Sequence, residues 1–134
     1  MTPADGTTLG PRDQPVLDEA ALGAIRALGE TGGTSALTKV IDLYLDYSPT
    51  LVGEIEAAIA NGDAEALNRA AHSLKSSSAS LGAQGFAALC KDLEMIGRNG
   101  SIDGAGEIFE SLKGLYPQVC DALTAERGKV AETA

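Results

Sequence analysis

The chain has 134 residues, 44% of them hydrophobic and only 4% aromatic, with no Trp and a formal net charge of −9. That length suits one domain, and a core drawn from Leu, Ile, Val and Ala favours helix packing over a sheet. The acidic balance, with no Lys/Arg cluster, argues against a nucleic-acid surface and an anionic membrane surface, and leaves a protein partner of basic or mixed charge.

Residues 1–15 are rich in Thr, Gly, Pro and Asp, carry no periodicity and read as a disordered leader. They lack the basic and apolar regions of a signal peptide. No apolar run approaches the roughly 20 residues of a membrane span, so a cytoplasmic protein is expected. Asp18 caps a short first helix that buries Leu22, Ile25 and Leu28 and ends at Gly29. Thr34 or Ser35 caps a long second helix with Leu37, Val40, Ile41, Tyr44, Leu45, Leu51, Val52, Ile55 and Ile59 at steps of three and four. Pro49 lies inside it, where a kink or a break into two helices is expected. Asn61-Gly62 ends the run and Asp63 caps the next.

The third helix is expected over 64–81, with Leu67, Ala71, Leu74, Ser78 and Leu81 inward and Gly82 as its stop. The fourth runs over 84–97, with Phe86, Leu89, Cys90, Leu93 and Ile96 inward. The fifth begins near Asp103, carries Ile108, Phe109, Leu112, Leu115, Val119 and Leu123, and should bend at Pro117. The expected fold is all-α: an antiparallel four-helix bundle over 16–127, with the short first helix across one end. Residues 128–134 are expected to form a flexible tail. Cys90 and Cys120 sit in apolar helical patterns and read as reduced core thiols, with no metal-ligand spacing. The stripes are narrow enough to be satisfied within one bundle, so a monomer is expected.

The chain has a single histidine, His72. Helical geometry places it one residue past core Ala71 and two before core Leu74, off the inward stripe. Asn68, Arg69, Lys75, Ser76 and Ala79 share its face. From Asn68 to Lys91 there is no acidic residue, in a chain of net charge −9. A histidine beside two cations and small side chains suits a group that becomes anionic, such as a phosphoryl group. Neutral imidazole is a nucleophile available near pH 7. Its attack on an aspartyl phosphate gives phosphohistidine, a step needing in-line positioning and charge stabilisation. Lys75 and Arg69 supply positive charge, and Ser76 and Ala79 leave room for a partner. The face holds no carboxylates, so no cofactor is expected on this chain, and any Mg2+ comes with the partner. Gln84 is a further candidate to reach the histidine from the next helix. No Asp or Glu is placed by sequence to orient the imidazole, which argues against a Ser/His hydrolase.

The run His72-Ser73-Leu74-Lys75-Ser76, followed by Leu81-Gly82-Ala83, resembles the signature of histidine-containing phosphotransfer domains. Asn61-Gly62-Asp63 leading into Ala70-Ala71-His72, and Leu89-Cys90 with Leu93-Glu94, are similar to the family as well. The resemblance spans roughly residues 16–123. It implies a four-helix bundle with an exposed phosphoacceptor at His72 and supporting charge at Lys75. It also implies transfer between response-regulator receiver domains, or with a hybrid sensor histidine kinase, and a docking face of Asn68, Ser76, Ala79, Gly82 and Ala83. The family usually has Gly after the Lys, where this chain has Ser76. A sensor-kinase phosphoacceptor domain fits less well: His72 is followed by Ser73, with no nearby Pro and no ATP-binding loop. The alternative from the residues alone is a helical interaction module in which His72 is incidental.

Overall fold

The computed structural model describes residues 16–31 and 34–133; the expected disordered leader lies outside them. Five helices follow in order: α1 (Glu19–Arg26), α2 (Ala36–Asn61), α3 (Ala64–Ser80), α4 (Gln84–Arg98) and α5 (Ala105–Thr133). Between α1 and α2 a two-residue rung pairs Glu30 with Ser35 and Thr31 with Thr34.

The boundaries follow from local chemistry. A helix leaves its first N–H groups without partners, and a polar side chain just upstream can accept from them. Asp18 accepts from the Ala20 N–H, Ser35 from the Thr38 N–H and Asp63 from the Ala66 N–H. Helix α2 ends at Gly62, whose φ of 67° is the left-handed conformation that a glycine tolerates at no cost.

Helices α2 to α5 form a ring in which α3 packs between α2 and α4, and α5 closes the other side against the same two. This is the expected bundle. Its core is one cluster, with Leu37, Ile41, Ile55, Leu67, Leu74, Leu93, Leu112 and Leu123 fully enclosed. Two hydroxyl pairs lie in or beside it: buried Tyr44 Oη to Ser78 Oγ at 2.8 Å, and, at its edge, Ser48 Oγ to half-buried Tyr116 Oη at 2.6 Å. Each group finds its partner inside the bundle, so burying it carries little cost.

Several expectations need correction. Pro49 does not break α2, which runs unbroken from Ala36 to Asn61. Buried residues on both sides of the proline, Ile41 and Tyr44 before it and Leu51 and Ile55 after it, hold the halves in one helix. Their burial outweighs the roughly 3 kcal/mol that an internal proline costs. Leu28 is 74% exposed rather than inward, because α1 ends at Arg26 and the chain turns away before it. Leu89 and Ile96 only edge the core. Helix α5 carries through Thr133, past Arg127 where a frayed tail was expected. Its C-terminal part is tied to α1 through Arg26, which donates to Glu126 at 2.9 Å.

Candidate functional site

The site lies on the seam between α3 and α4, and a glycine sets the width of that seam. A β-carbon on Gly97 would stand 2.6 Å from the Ala64 carbonyl oxygen and 2.7 Å from the Asn68 backbone nitrogen. Only glycine lets α4 come this close to the first turns of α3. Three residues before Gly97, on the same inward side, Glu94 enters the seam and is only 3% exposed.

A buried carboxylate is costly unless it is paired and hydrogen-bonded, and Glu94 is both. Lys75 Nζ lies 2.6 Å from Oε1, His72 Nδ1 2.8 Å from Oε2 and Arg98 Nη2 3.3 Å from Oε2. Burial pushes this carboxyl up, but the Lys75 hydrogen bond, then that of His72, and the charges behind them outweigh it. The net result holds Glu94 below the ordinary carboxylate range. Glu94 is therefore ionised at neutral pH and accepts from the imidazole. That bond assigns the ring proton to Nδ1 and leaves the Nε2 lone pair free. The His72 side chain is 58% exposed, so the ring is anchored on its inner edge and open on its outer one.

The structure sorts the sequence candidates. His72 and Lys75 share Glu94. Arg69 does not join them; its guanidinium turns back along α3 to Glu65 at 3.7 Å. Ser76 is exposed and Ala79 half-buried on the His72 face, where with Lys75, Gln84, Ala87 and Lys91 they border a shallow groove. Asn68 is half-buried beneath Gly97. Gly82 and Ala83 are buried and thus not available as a docking face. Gly82, with φ of 82°, packs so closely on Asp18 that a β-carbon would lie 2.7 Å from the Asp18 carbonyl oxygen. Both residues therefore serve the α3–α4 turn. Gln84 reaches the Ala79 carbonyl at 3.5 Å rather than the histidine.

Two residues of the site were missed in the sequence. Glu94 is the carboxylate said to be lacking, and Arg98 is the second cation assigned instead to Arg69. A signal existed: Glu94 stands four residues after core Cys90, on the inward side of α4, where an acid needs a partner. Arg98, four residues further on, is one such partner.

Among the described residues no group of three or more His, Cys, Asp or Glu is placed to hold a metal ion. No described helix is long and apolar enough to cross a membrane.

An antiparallel helical bundle with a half-exposed, carboxylate-anchored histidine on its second long helix defines a class of phosphoryl carriers. Residues 39–126 match the Hpt domain family, and the chain belongs to that family: it is a histidine phosphotransfer domain of the phosphorelay type. Among solved structures it is similar to histidine-containing phosphotransfer protein B (HptB) from Pseudomonas aeruginosa PAO1. The TM-score is 0.77 at 29% identity, covering 86% of this chain and 96% of that one. It is also 40% identical over 62 residues to the sensor protein TorS of Escherichia coli (strain K12). That match takes in 46% of this chain but only 7% of the sensor's length.

Proposed function

We propose that His72 accepts and returns the phosphoryl group through Nε2, relaying it between receiver-domain aspartates. The observation that carries this reading is the 2.8 Å contact between His72 Nδ1 and Oε2 of the buried Glu94. An incidental surface histidine has no reason to be held by a buried acid.

The chemistry balances without a proton donor. The Nε2 lone pair attacks the phosphorus of an aspartyl phosphate in line with the departing oxygen. The nitrogen–phosphorus bond forms as the phosphorus–oxygen bond breaks, and the aspartate leaves as a carboxylate. The imidazole keeps its Nδ1 proton and takes up positive charge, which Glu94 faces and stabilises. Lys75, one turn along α3, neutralises a non-bridging phosphoryl oxygen. The reverse sequence returns the group to a second receiver.

The partner settles over the exposed edge of His72, with Ser76 and Ala79 as the small residues that admit it. Ser76 stands where the family usually has Gly, and its added hydroxymethyl group bears on partner choice and rate. Mg2+ is supplied by the receiver. The domain acts in the cytoplasm as a monomeric carrier and does not label itself from ATP; a hybrid sensor histidine kinase is one source of the group.

The test is transfer from a phosphorylated receiver to the wild type and to His72→Gln. Acid-labile, base-stable label on the wild type alone supports the reading, and no label should form with ATP in the absence of a kinase. Equal label on both proteins contradicts it.

A further inference from the structure

Glu94 has more cations than its one charge needs, and they are not equivalent. Lys75 alone approaches Oε1, at 2.6 Å, while Arg98 shares Oε2 with the imidazole at the longer distance of 3.3 Å. The Arg98 side chain is 61% exposed and that of Lys75 is 29% exposed. In the resting protein Arg98 therefore adds little, since Lys75 already compensates the buried charge and exposed pairs at this spacing are weak.

The balance changes when a phosphoryl group reaches Nε2. Lys75 is the cation on the histidine's own helix face, and the arriving group carries nearly two negative charges. Lys75 faces competing demands: the phosphoryl oxygens outside and the Glu94 carboxylate inside. If Lys75 turned outward with no other cation near, Glu94 would be left buried against the ring alone, whose positive charge is offset by the phosphoryl group it carries, and the pair as a whole would be short of positive charge.

We propose that Arg98 is a positioning residue for phosphoryl transfer: it holds the Glu94 charge while Lys75 is released to the phosphoryl group. The assignment rests on His72 being the phosphoacceptor. Arg98 acts through Glu94 and touches no reacting atom. As the nitrogen–phosphorus bond forms and the acyl-phosphate bond breaks, Lys75 moves from Oε1 toward a phosphoryl oxygen and Arg98 becomes the carboxylate's cation. Nδ1–H stays on Oε2 throughout, so the ring does not turn while the load changes.

The experiment compares transfer rates from one phosphorylated receiver to the wild type, Arg98→Ala, Arg98→Lys, Glu94→Gln and the Glu94→Gln/Arg98→Ala double variant. Denaturation midpoints should match for the wild type and Arg98→Ala. Transfer to Arg98→Ala should fall to about one-tenth, the worth of one hydrogen bond to a charged group. Arg98→Lys, which keeps the charge, should stay within about twofold of the wild type. With a neutral amide at position 94 there is no charge to hold, so adding Arg98→Ala should cost nothing more. An unchanged rate in Arg98→Ala, or the same fractional loss with and without Glu94→Gln, overturns the assignment. Label on His72→Gln equal to wild type would instead remove the phosphoacceptor reading beneath it.

Discussion

Two places in this bundle bury polar groups, and they do so in opposite ways. Between α2 and its neighbours α3 and α5, Tyr44 meets Ser78 and Ser48 meets Tyr116, pairs of neutral hydroxyls. On the α3–α4 seam a single carboxylate meets an imidazole, an ammonium and a guanidinium, three donor groups around one charge. The first arrangement is neutral and inward: each hydroxyl bonds a partner within the bundle, and no charge is left to balance. The second is open, with a histidine nitrogen and two cationic side chains reaching toward solvent. Polar burial that balances locally specifies packing; polar burial with surplus donors leaves capacity for an incoming anion.

The sharpest way to separate these roles uses two residues of one helix turn. Leu74 is fully enclosed, two positions from His72. Leu74→Ala should cost about 2–5 kcal/mol in urea unfolding through the cavity it opens, with His72 still able to take label wherever the protein remains folded. His72→Gln should abolish transfer and leave the urea midpoint where it was. Loss of both properties in both variants would mean that site and core are not separable.

Gly97 comes next, because it joins the two regions. Gly97→Val forces α4 away from the Ala64 and Asn68 backbone. It should destabilise by about 1–3 kcal/mol and also reduce transfer in the folded fraction by lengthening the Glu94–His72 bond. A variant that loses stability but transfers at the wild-type rate would show that the seam width does not govern the site.

Tyr44→Phe orphans the Ser78 hydroxyl and should cost about 1–2 kcal/mol with no change in transfer. A slowed transfer in this variant would mean that the hydroxyl pairs belong to the functional apparatus.

The smallest effects distinguish the two places by pH. Glu94 is held below its ordinary range by Lys75 and His72, against the opposing push of burial. Its stabilising contribution is present above the unfolded carboxylate pKa of about 4.3 and is lost as pH falls through the lower folded value. Tyr44 is pushed well up, first by burial, and Cys90 is pushed up to about 12 by the same cause. Their contributions are complete below the unfolded values, roughly 10 for tyrosine and 8.5 for cysteine, and fade as pH rises through the folded ones. Glu94→Gln should therefore flatten the acid limb of the stability profile, and Tyr44→Phe the alkaline limb. The reverse assignment would sink the comparison.

The sequence made the helices legible because their signals are local. Asp18, Ser35 and Asp63 cap where expected, Gly62 ends a helix in the left-handed conformation, and the three-and-four spacing marks the enclosed leucines. His72 and Lys75 were legible for a related reason: one helix face fixes their relation. What escaped depends on a second helix. Arg69 and Arg98 both offer a guanidinium, and which one meets the site is decided by how α4 crosses α3, through Gly97. The stretch around His72 is free of acids, and the carboxylate of the site arrives from α4. Gly82 and Ala83 looked like docking residues from their place after the histidine. Their burial comes from the segment before α1, where the Asp18 N–H donates to the Gly82 carbonyl at 2.7 Å.

The most direct measurement is the tautomer of His72, which a single histidine makes unambiguous in long-range 1H–15N spectra. In the neutral ring the proton should reside on Nδ1, with Nε2 bare, and Glu94→Gln should shift the Nδ1 resonance. A neutral ring protonated on Nε2, indifferent to Glu94→Gln, would contradict the claim that a buried carboxylate presents this histidine for phosphoryl transfer.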